Sequence, residues 1–226
     1  FTMICSQKFH KYIYIRNVHK TLYHNSTNFT IYSNNLSTET ISMTHFMKKD
    51  LRQYYLKKLA NFPGANRATE LIESNLKALL VRLPKISTLG LYSPLSNEPR
   101  LDFRKFTRDY TLALPRITNN HINYYIIDNT AQFIKNNYGI FEPHSNNVII
   151  PEVIIVPGLA YDLGGGRLGR GKGFFDRFLA RARNQSPQIC VIGVCFNIQI
   201  TKILPLELHD QKVDYIITEQ QIIKTP

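Results

Sequence analysis

The chain is poor in cysteine, in acidic residues and in long apolar stretches. Only three of its 226 residues are cysteine, and no two of them form a Cys-x-x-Cys pair. The seven histidines are scattered without a His-x-x-x-His pair, so the sequence gives no indication of a zinc site. Cys190 and Cys195 lie in an apolar, strand-like segment, and we therefore expect both to be buried thiols.

The lack of long apolar runs argues against a membrane partner, and the shortage of acidic residues favours anionic ligands. No run approaches the roughly 20 apolar residues that a membrane-spanning helix needs, so we expect no membrane partner. Lys and Arg outnumber Asp and Glu by 28 to 16, which gives a formal net charge of +12 and favours anionic ligands. No stretch is dense enough in basic residues to argue for nucleic acid. Small polyanions fit the charge as well.

The composition separates a leader from the rest of the chain. Residues 1–42 contain four basic residues, only one acidic residue (Glu39), and many Ser, Thr, Asn and Tyr. This composition resembles an organelle transit peptide. The alternatives are an unstructured extension, or translated sequence upstream of a start at Met43 or Met47. We predict a leader at 1–42, one domain at 43–226 and a cytoplasmic or mitochondrial location. A chain of this length can bury a full core.

Predicted helices and strands alternate along the remainder of the chain. This order is typical of a layered α/β single domain with a largely parallel sheet flanked by helices. Apolar periodicity predicts helices at 47–59, 68–80, 101–110 and 173–183. Strands are predicted at 85–91, 111–117, 122–127, 148–156, 189–196 and 213–218, the fourth being interrupted by Pro151-Glu152.

One segment runs from an apolar strand through a glycine-rich basic loop into an amphipathic helix. From Val156 to Leu179 it reads V-P-G-L-A-Y-D-L-G-G-G-R-L-G-R-G-K-G-F-F-D-R-F-L. Glycines let backbone N–H groups face an anion, and the start of the next helix is electropositive. Arg167, Arg170 and Lys172 add full charges, so the segment predicts a phosphate site at the carboxyl edge of the sheet. The alternative is a flexible basic loop, because neither the Walker nor the Rossmann spacing is present.

The helix after this loop carries an acid and two aromatic rings at its start. Asp176 is placed to reach a metal ion on bound phosphates, or else it only stabilises the helix start. Phe174 and Phe175 lie at helical spacing from Phe178 and Leu179. We therefore expect at least one of the two rings to pack in the core, which leaves the other able to stack on a flat heterocycle.

The segment resembles the signature of the 5-formyltetrahydrofolate cyclo-ligase family. That signature reads V-P-G-x-A/G-F-D, two variable residues, then G-x-R-L-G-x-G-x-G-Y-Y-D, and the spacing here matches without a gap. The resemblance extends from about Met43 to the C-terminus. The further landmarks, in chain order, are Lys48 to Arg52, Leu91-Tyr92-Ser93-Pro94 with Glu98, Leu114-Pro115-Arg116, Tyr138 to Pro143, Leu204-Pro205, His209-Asp210 and Val213-Asp214.

The chain departs from the family pattern in three places. Phe174-Phe175 stands where the family usually has Tyr-Tyr, so any hydrogen bond from those phenols is lost. Glu98 is followed by Pro99-Arg100-Leu101-Asp102 rather than by apolar and acidic residues. The chain also contains no tryptophan.

The resemblance implies an ATP-dependent cyclo-ligase that forms a carbon–nitrogen bond. The implied reaction converts 5-formyltetrahydrofolate to 5,10-methenyltetrahydrofolate and releases ADP and phosphate. ATP is the implied co-substrate, Mg²⁺ the cofactor, and the folate carries a polyglutamate tail or none. The alternative is a folate- or nucleic-acid-binding protein without ligase activity.

The resemblance also implies which residues form the site. Arg170 and Lys172 would be catalytic, Ser93, Glu98 and Phe174 would bind the folate, and Asp176 and Asp210 would hold the metal. The alternatives are a solvated helix face for Lys48 and Arg52, a loop acid for Asp210 and a solvated side chain for Glu98. The implied ATP-binding residues are Lys48, Arg52, Arg167, Leu168, Gly169, Arg170, Gly171, Lys172, Gly173, Phe174 and Phe175.

Overall fold

The computed structural model describes residues 21–25, 28–32, 39–41, 43–60, 62–128, 132–137 and 139–226. The chain divides into two compact units, Phe1–Leu51 and Arg52–Pro226. The first contains an antiparallel sheet in the order β1-β2-β3 and the first half of helix α1. These elements are β1 (Thr21–Asn25), β2 (Asn28–Tyr32), β3 (Glu39–Ile41) and α1 (Met43–Ala60).

The second unit is a layered α/β domain, as the alternation of elements predicts. The leader hypothesis rests partly on residues 1–20, which lie outside the described residues, and it stays a prediction. The elements of the second unit after α1 are α2 (Ala65–Leu80), β4 (Thr88–Gly90), β5 (Thr111–Thr118), β6 (His121–Ile127), β7 (Phe133–Lys135), β8 (Phe141–Pro143), β9 (Val148–Ile149), β10 (Val153–Pro157), β11 (Ala160–Asp162), β12 (Arg167–Leu168), α3 (Phe174–Gln185), β13 (Cys190–Val194), β14 (Ile200–Thr201), β15 (Tyr215–Ile217) and β16 (Ile222–Lys224).

The main sheet is parallel at its centre and antiparallel at its edges. Its eight strands have the order β16-β15-β13-β10-β4-β5-β6-β9. The five strands from β15 to β5 are mutually parallel, whereas β16, β6 and β9 join in antiparallel pairs. Residues 153–156 of β10 are all fully buried, which is typical of a central parallel strand covered on both faces. The predicted parallel sheet is therefore confirmed for the centre, to which antiparallel edge strands are added.

Helix α3 covers the sheet beside β6. Phe178, Leu179 and Ala182 are buried in one apolar cluster with Tyr124 and Ile154 of the sheet. Their spacing in the sequence is that of one helical face, and the predicted helix at 173–183 is confirmed. The cluster fixes α3 against the sheet through the second and third turns of the helix.

Two predicted elements differ in the structure. The helix expected at 101–110 is wrong, because only Phe106 of that segment is fully buried and a single 3₁₀ turn, Phe103–Lys105, forms. Glu73 of α2 accepts a hydrogen bond from the Asp102 N–H and pairs with Lys105, which holds the segment as a turn. The strand expected at 148–156 is two strands, β9 and β10, which lie at the edge and the centre of the sheet.

The predictions for helix α1 and for Cys195 can also be compared with the structure. Helix α1 is confirmed, but its apolar stripe is narrower than expected: Tyr55 and Leu59 are buried, whereas Met47 and Tyr54 are exposed. Cys195 is a buried thiol, as predicted, and burial raises its pKa well above the ordinary range.

The two remaining cysteines and the apolar character of the helices were also subjects of prediction. The expectation of a fully buried thiol is wrong for Cys190, which is half-buried; its partial burial raises its pKa to about 12. Cys5 lies outside the described residues. None of the helices in the described ranges combines the length and the apolar character needed to cross a bilayer.

Candidate active site

A cavity of about 310 Å³ opens where the central strands end. Tyr92 and Ser93, just after β4, and Pro157 and Gly158, at the end of β10, line it. The carboxyl edge of a parallel sheet is where α/β proteins bind ligands, and this volume suits a small organic molecule. The apolar wall consists of Leu95, Pro115, Ile117, Ile122, Ile140 and Phe174, and the charged groups are Glu98, Glu142, Arg167, Arg170, Lys172 and Asp176.

The three consecutive glycines of the signature turn around Asp162: two of them donate to its carboxylate, and the Gly165 N–H donates to its backbone carbonyl oxygen. The N–H groups of Gly164 and Gly166 donate to Asp162 Oδ1 at 3.0 and 2.8 Å, and the Leu204 N–H donates to Asp162 Oδ2 at 2.8 Å. Gly165 has φ of +83°, a conformation that favours glycine. Asp162 thus closes a structural turn between β11 and β12. Sequence reasoning missed this role, although an Asp two residues before Gly is a known turn signal.

Because Gly164, Gly165 and Gly166 form this turn, the predicted anion site is limited to residues 169–173, which we call the basic loop. Gly171 and Gly173 both have positive φ, +97° and +64°, so the two glycines are needed for the shape of the loop. Gly173 is the N-cap of α3 and provides no side-chain cap for the first N–H groups of the helix. Such a helix start offers donors and a partial positive charge to an anion.

Arg52 reaches the basic loop, and its role in binding ATP stays a prediction. Its Nε donates to the carbonyl oxygen of Gly169 at 3.0 Å, and its guanidinium lies beside Gly171. Lys48 precedes Arg52 by one turn of α1 and is only 4% exposed, so it does not lie on a solvated face. Lys172 is exposed and lines the cavity.

Arg167 and Asp176 form a buried ion pair at the inner wall of the cavity. Arg167 Nη2 lies 2.8 Å from Asp176 Oδ1, and the side chains are 3% and 13% exposed. Asp176 Oδ1 also accepts a hydrogen bond from the Gln211 N–H at 3.3 Å. The guanidinium carbon of Arg167 lies 5.6 Å from the centre of the Phe175 ring. These contacts fix Arg167 in place, with its charge already balanced.

Glu98 is also paired with an arginine. Its carboxylate is buried, and its Oε1 accepts a hydrogen bond of 3.0 Å from Arg170 Nε. Its Oε2 accepts a hydrogen bond of 2.9 Å from the Leu95 N–H. The alternative of a solvated Glu98 is therefore wrong. Ser93 lines the cavity, and its hydroxyl donates to the Phe141 carbonyl at 2.6 Å.

The two phenylalanines at the start of α3 have similar surroundings. Both Phe174 and Phe175 line the cavity, and both are half-buried against the core. The expectation that at least one ring packs against the core is confirmed for both, and stacking of either ring on a heterocycle stays a prediction. Leu168 is buried in β12, and its carbonyl oxygen accepts a hydrogen bond from the Leu159 N–H. Its side chain therefore serves the core.

Asp210 lies in a short acidic turn. Its Oδ2 accepts a hydrogen bond of 2.6 Å from the Glu207 N–H, and ligand atoms of Glu207, His209 and Asp210 lie within 4.8 Å of one another. Asp176 contacts the next residue, Gln211, so the two predicted metal ligands belong to neighbouring segments. Glu207 and His209 were not predicted as metal ligands, although the E-x-H-D spacing could have indicated them.

Two further cavity residues belong to family landmarks of the sequence but were not predicted as site residues. Glu142 is buried and accepts hydrogen bonds from the Ile117 N–H at 2.9 Å and from Asn136 Nδ2 at 2.6 Å. Tyr92 donates its hydroxyl to the Pro99 carbonyl at 2.5 Å. Burial, with the Glu98 carboxylate nearby, raises the pKa of Tyr92 well above its ordinary value, so this hydroxyl remains a donor.

The fold and the cavity define the class of the protein: an α/β protein with an apolar cleft and a cationic rim at the carboxyl edge of its sheet. The sequence model of the 5-formyltetrahydrofolate cyclo-ligase family matches residues 46–219. The chain belongs to this family and is therefore a ligase that closes a ring through a carbon–nitrogen bond. This membership supports the enzyme hypothesis over the binding-only alternative.

Individual relatives agree with the family assignment. The chain is 25% identical over 200 residues to a probable 5-formyltetrahydrofolate cyclo-ligase from Schizosaccharomyces pombe, covering 77% of this chain and 98% of the relative. The solution structure of 5,10-methenyltetrahydrofolate synthetase from Aquifex aeolicus matches with a TM-score of 0.68 and 32% identity, over 79% of this chain and 92% of that one. The corresponding synthetase from Mycoplasma pneumoniae shares the fold, with a TM-score of 0.62, 23% identity and 76% and 98% coverage.

Proposed function

We propose that this protein uses ATP to convert 5-formyltetrahydrofolate to 5,10-methenyltetrahydrofolate, releasing ADP and phosphate. One observation carries the proposal: the apolar wall around Phe174 meets the Glu98–Arg170 pair, Lys172 and the start of α3, which has no side-chain cap, in one cavity. A flat heterocycle fits the apolar wall, and the buried carboxylate can accept hydrogen bonds from its N–H groups. The cations and the helix start suit phosphates.

The chemistry requires an activated oxygen. The formyl oxygen on N5 is a poor leaving group, and transfer of the γ-phosphoryl group of ATP to it makes a good one. N10 then attacks the formyl carbon, the carbon–oxygen bond breaks, and phosphate leaves with the proton that N10 gives up. The protein mainly has to align the two substrates and neutralise the charge of the phosphoryl group.

The residues of the basic loop suit the phosphoryl transfer. Arg170 and Lys172 line the cavity on either side of Gly171, and the Arg52 guanidinium lies beside that glycine. Arginine can form bidentate hydrogen bonds with a phosphate group, and lysine contributes a point charge. The apolar side chains opposite them limit the access of water to the phosphorylated intermediate.

Mg²⁺ fits the residues that are present. Asp176 and the Asp210 turn provide carboxylate oxygens on neighbouring segments, and hard oxygen donors of this kind suit a cation that keeps several of its waters. Asp176 and Asp210 would hold the ion, which when bound would neutralise phosphate charge. Arg167 keeps the Asp176 carboxylate oriented through its 2.8 Å bond.

Substituting each proposed metal ligand tests this assignment. We expect Asp176→Asn and Asp210→Asn each to raise the Mg²⁺ concentration needed for half-maximal activity several-fold, because an amide keeps the shape but loses the charge. Asp176→Asn should also lose about 1 kcal/mol of stability, since its bond to Arg167 becomes a bond to a neutral acceptor. Parallel Mg²⁺ titrations and melting curves measure both effects. An unchanged Mg²⁺ curve for Asp210→Asn would leave Asp176 as the only protein ligand.

Truncation tests the domain boundary. Every family landmark begins at or after Lys48, so a chain starting at Met43 should fold and keep full activity. A chain starting after Arg52 should lose ATP affinity, because both Lys48 and Arg52 are removed. Arg52→Ala in the full chain keeps α1 intact and should raise the KM for ATP in the same direction. Instability or inactivity of the Met43 chain would make the leader part of the fold, and the transit-peptide hypothesis would be wrong.

The proposed reaction is tested by the absorbance of the methenyl product. The purified chain is mixed with 5-formyltetrahydrofolate, ATP and Mg²⁺, and each component is omitted in turn. The proposal predicts product only in the complete mixture. Binding of folate without turnover in the complete mixture would contradict it.

A further inference from the structure

The Glu98–Arg170 ion pair joins two chain segments that line the cavity. Arg170 belongs to the basic loop, and Glu98 belongs to the segment after β4. Arg170 Nη2 lies 3.0 Å from Glu98 Oε1 and also donates to Asn97 Oδ1. We propose that this pair, with Asn97, is a latch through which ATP and the folate each raise the affinity of the enzyme for the other. The inference rests on the proposed function and adds a coupling between its two substrates.

The latch follows from the burial of Glu98. The side chain of Glu98 is 6% exposed, and a buried carboxylate is costly unless a cation or several donors balance it. Arg170 is the cation that balances it in the structure, and the Leu95 N–H supplies one further hydrogen bond. A nucleotide phosphate that draws Arg170 away would leave the carboxylate without its counter-charge. Nucleotide binding alone is therefore penalised.

The folate removes that penalty. N–H donors of a bound heterocycle replace Arg170 at the Glu98 carboxylate, and Arg170 is then available to the phosphates. Conversely, a nucleotide that already holds Arg170 leaves Glu98 open to the heterocycle. Both ligands favour the same change, in which Arg170 leaves Glu98 for the phosphates and the folate takes its place. Each ligand must therefore raise the affinity for the other by the same factor.

The second arginine pair of the cavity shows why Arg170 is the one that exchanges. The Arg167 side chain is 3% exposed and lies over the Phe175 ring, whereas the Arg170 side chain is 34% exposed. Arg170 can therefore turn toward a phosphate without leaving a hole in the core. Asn97 does not line the cavity, and its contact with Nη2 of Arg170 makes it a positioning residue that favours the closed latch.

Calorimetric titration of 5-formyltetrahydrofolate tests the latch. The full chain is titrated with Mg²⁺ present, once without nucleotide and once with saturating non-hydrolysable ATP analogue, and the reciprocal pair of titrations is measured as well. We expect the folate Kd to fall about tenfold with the analogue, and the analogue Kd to fall by the same factor with folate, within the usual range of such couplings. A ratio of one, or weaker binding in the presence of the partner, overturns the latch.

Variants separate the latch from general damage to the site. Arg170→Ala should reduce the coupling factor to about one. Asn97→Ala should strengthen binding of the analogue alone by roughly threefold and lower the coupling, because the closed latch loses one hydrogen bond. Arg104→Ala, which breaks the exposed pair with Asp102, should leave the coupling unchanged.

The outcomes for the latch and for the proposed reaction are distinguishable. Unaltered coupling in Arg170→Ala overturns the latch, and so does unaltered coupling in Asn97→Ala if Arg170→Ala fails to fold. Uncoupled binding together with normal formation of the methenyl product overturns the latch alone. Coupled binding without product overturns the proposed reaction alone, and failure of either ligand to bind overturns both.

Discussion

Asp162→Ala is expected to lower the melting temperature by roughly 10 °C. The Asp162 carboxylate is 4% exposed and accepts hydrogen bonds from the N–H groups of Gly164, Gly166 and Leu204. Its removal strands three donors, and we expect a loss of about 4 kcal/mol after partial relaxation. For a protein of this size, each kcal/mol corresponds to about 2–4 °C. Thermal unfolding followed by circular dichroism measures the shift.

Asp109→Ala is the matched control for Asp162. Asp109 is an exposed acid of the same second unit, and its loss should leave the melting temperature nearly unchanged. If both variants melted together with the parent, Asp162 would not organise the glycine turn. The three glycines would then again be candidates for binding an external anion.

Lys172→Ala should reduce kcat/KM for ATP by about 10- to 150-fold. This range corresponds to the roughly 1.5–3 kcal/mol of a hydrogen bond to a charged group. Lys172 is exposed, lines the cavity and directly precedes the N-cap of α3, so its loss removes a cation from the proposed phosphate position and leaves the core intact. Steady-state rates at subsaturating ATP, together with a melting curve, separate loss of function from loss of fold.

Lys202→Ala serves as the control for Lys172. Lys202 is also exposed, and it does not line the cavity. It changes the net charge by the same amount, so it reports the general effect of charge on attraction of ATP. Equal rates for Lys172→Ala and Lys202→Ala at subsaturating ATP would contradict the role of the basic loop.

The sequence predicts well what depends on local pattern. The buried run in β10, the basic loop and the apolar face of α3 follow from residue types at short spacing, and the structure has all three. The Asn119-Asn120 loop is another local feature: both residues have positive φ, and they join β5 to β6 as a two-residue hairpin turn.

What the sequence could not predict depends on partners distant along the chain. The Glu98–Arg170 pair joins residues 72 positions apart, and the carboxylate of Asp162 meets the Leu204 N–H across 42 positions. A carboxylate has the same appearance in the sequence whether it faces a ligand, an arginine or a turn. The split of 148–156 into β9 and β10 likewise depends on which strands each piece meets in the sheet.

The most direct test of the account is the stoichiometry of the reaction. Methenyl product and ADP are measured in the same mixture of the full chain, 5-formyltetrahydrofolate, ATP and Mg²⁺, with Lys172→Ala run in parallel. The account predicts one ADP for each methenyl product, no ADP release without the folate, and a slower but equally coupled reaction for the variant. Formation of ADP without the methenyl product, or of the methenyl product without ADP, would contradict it.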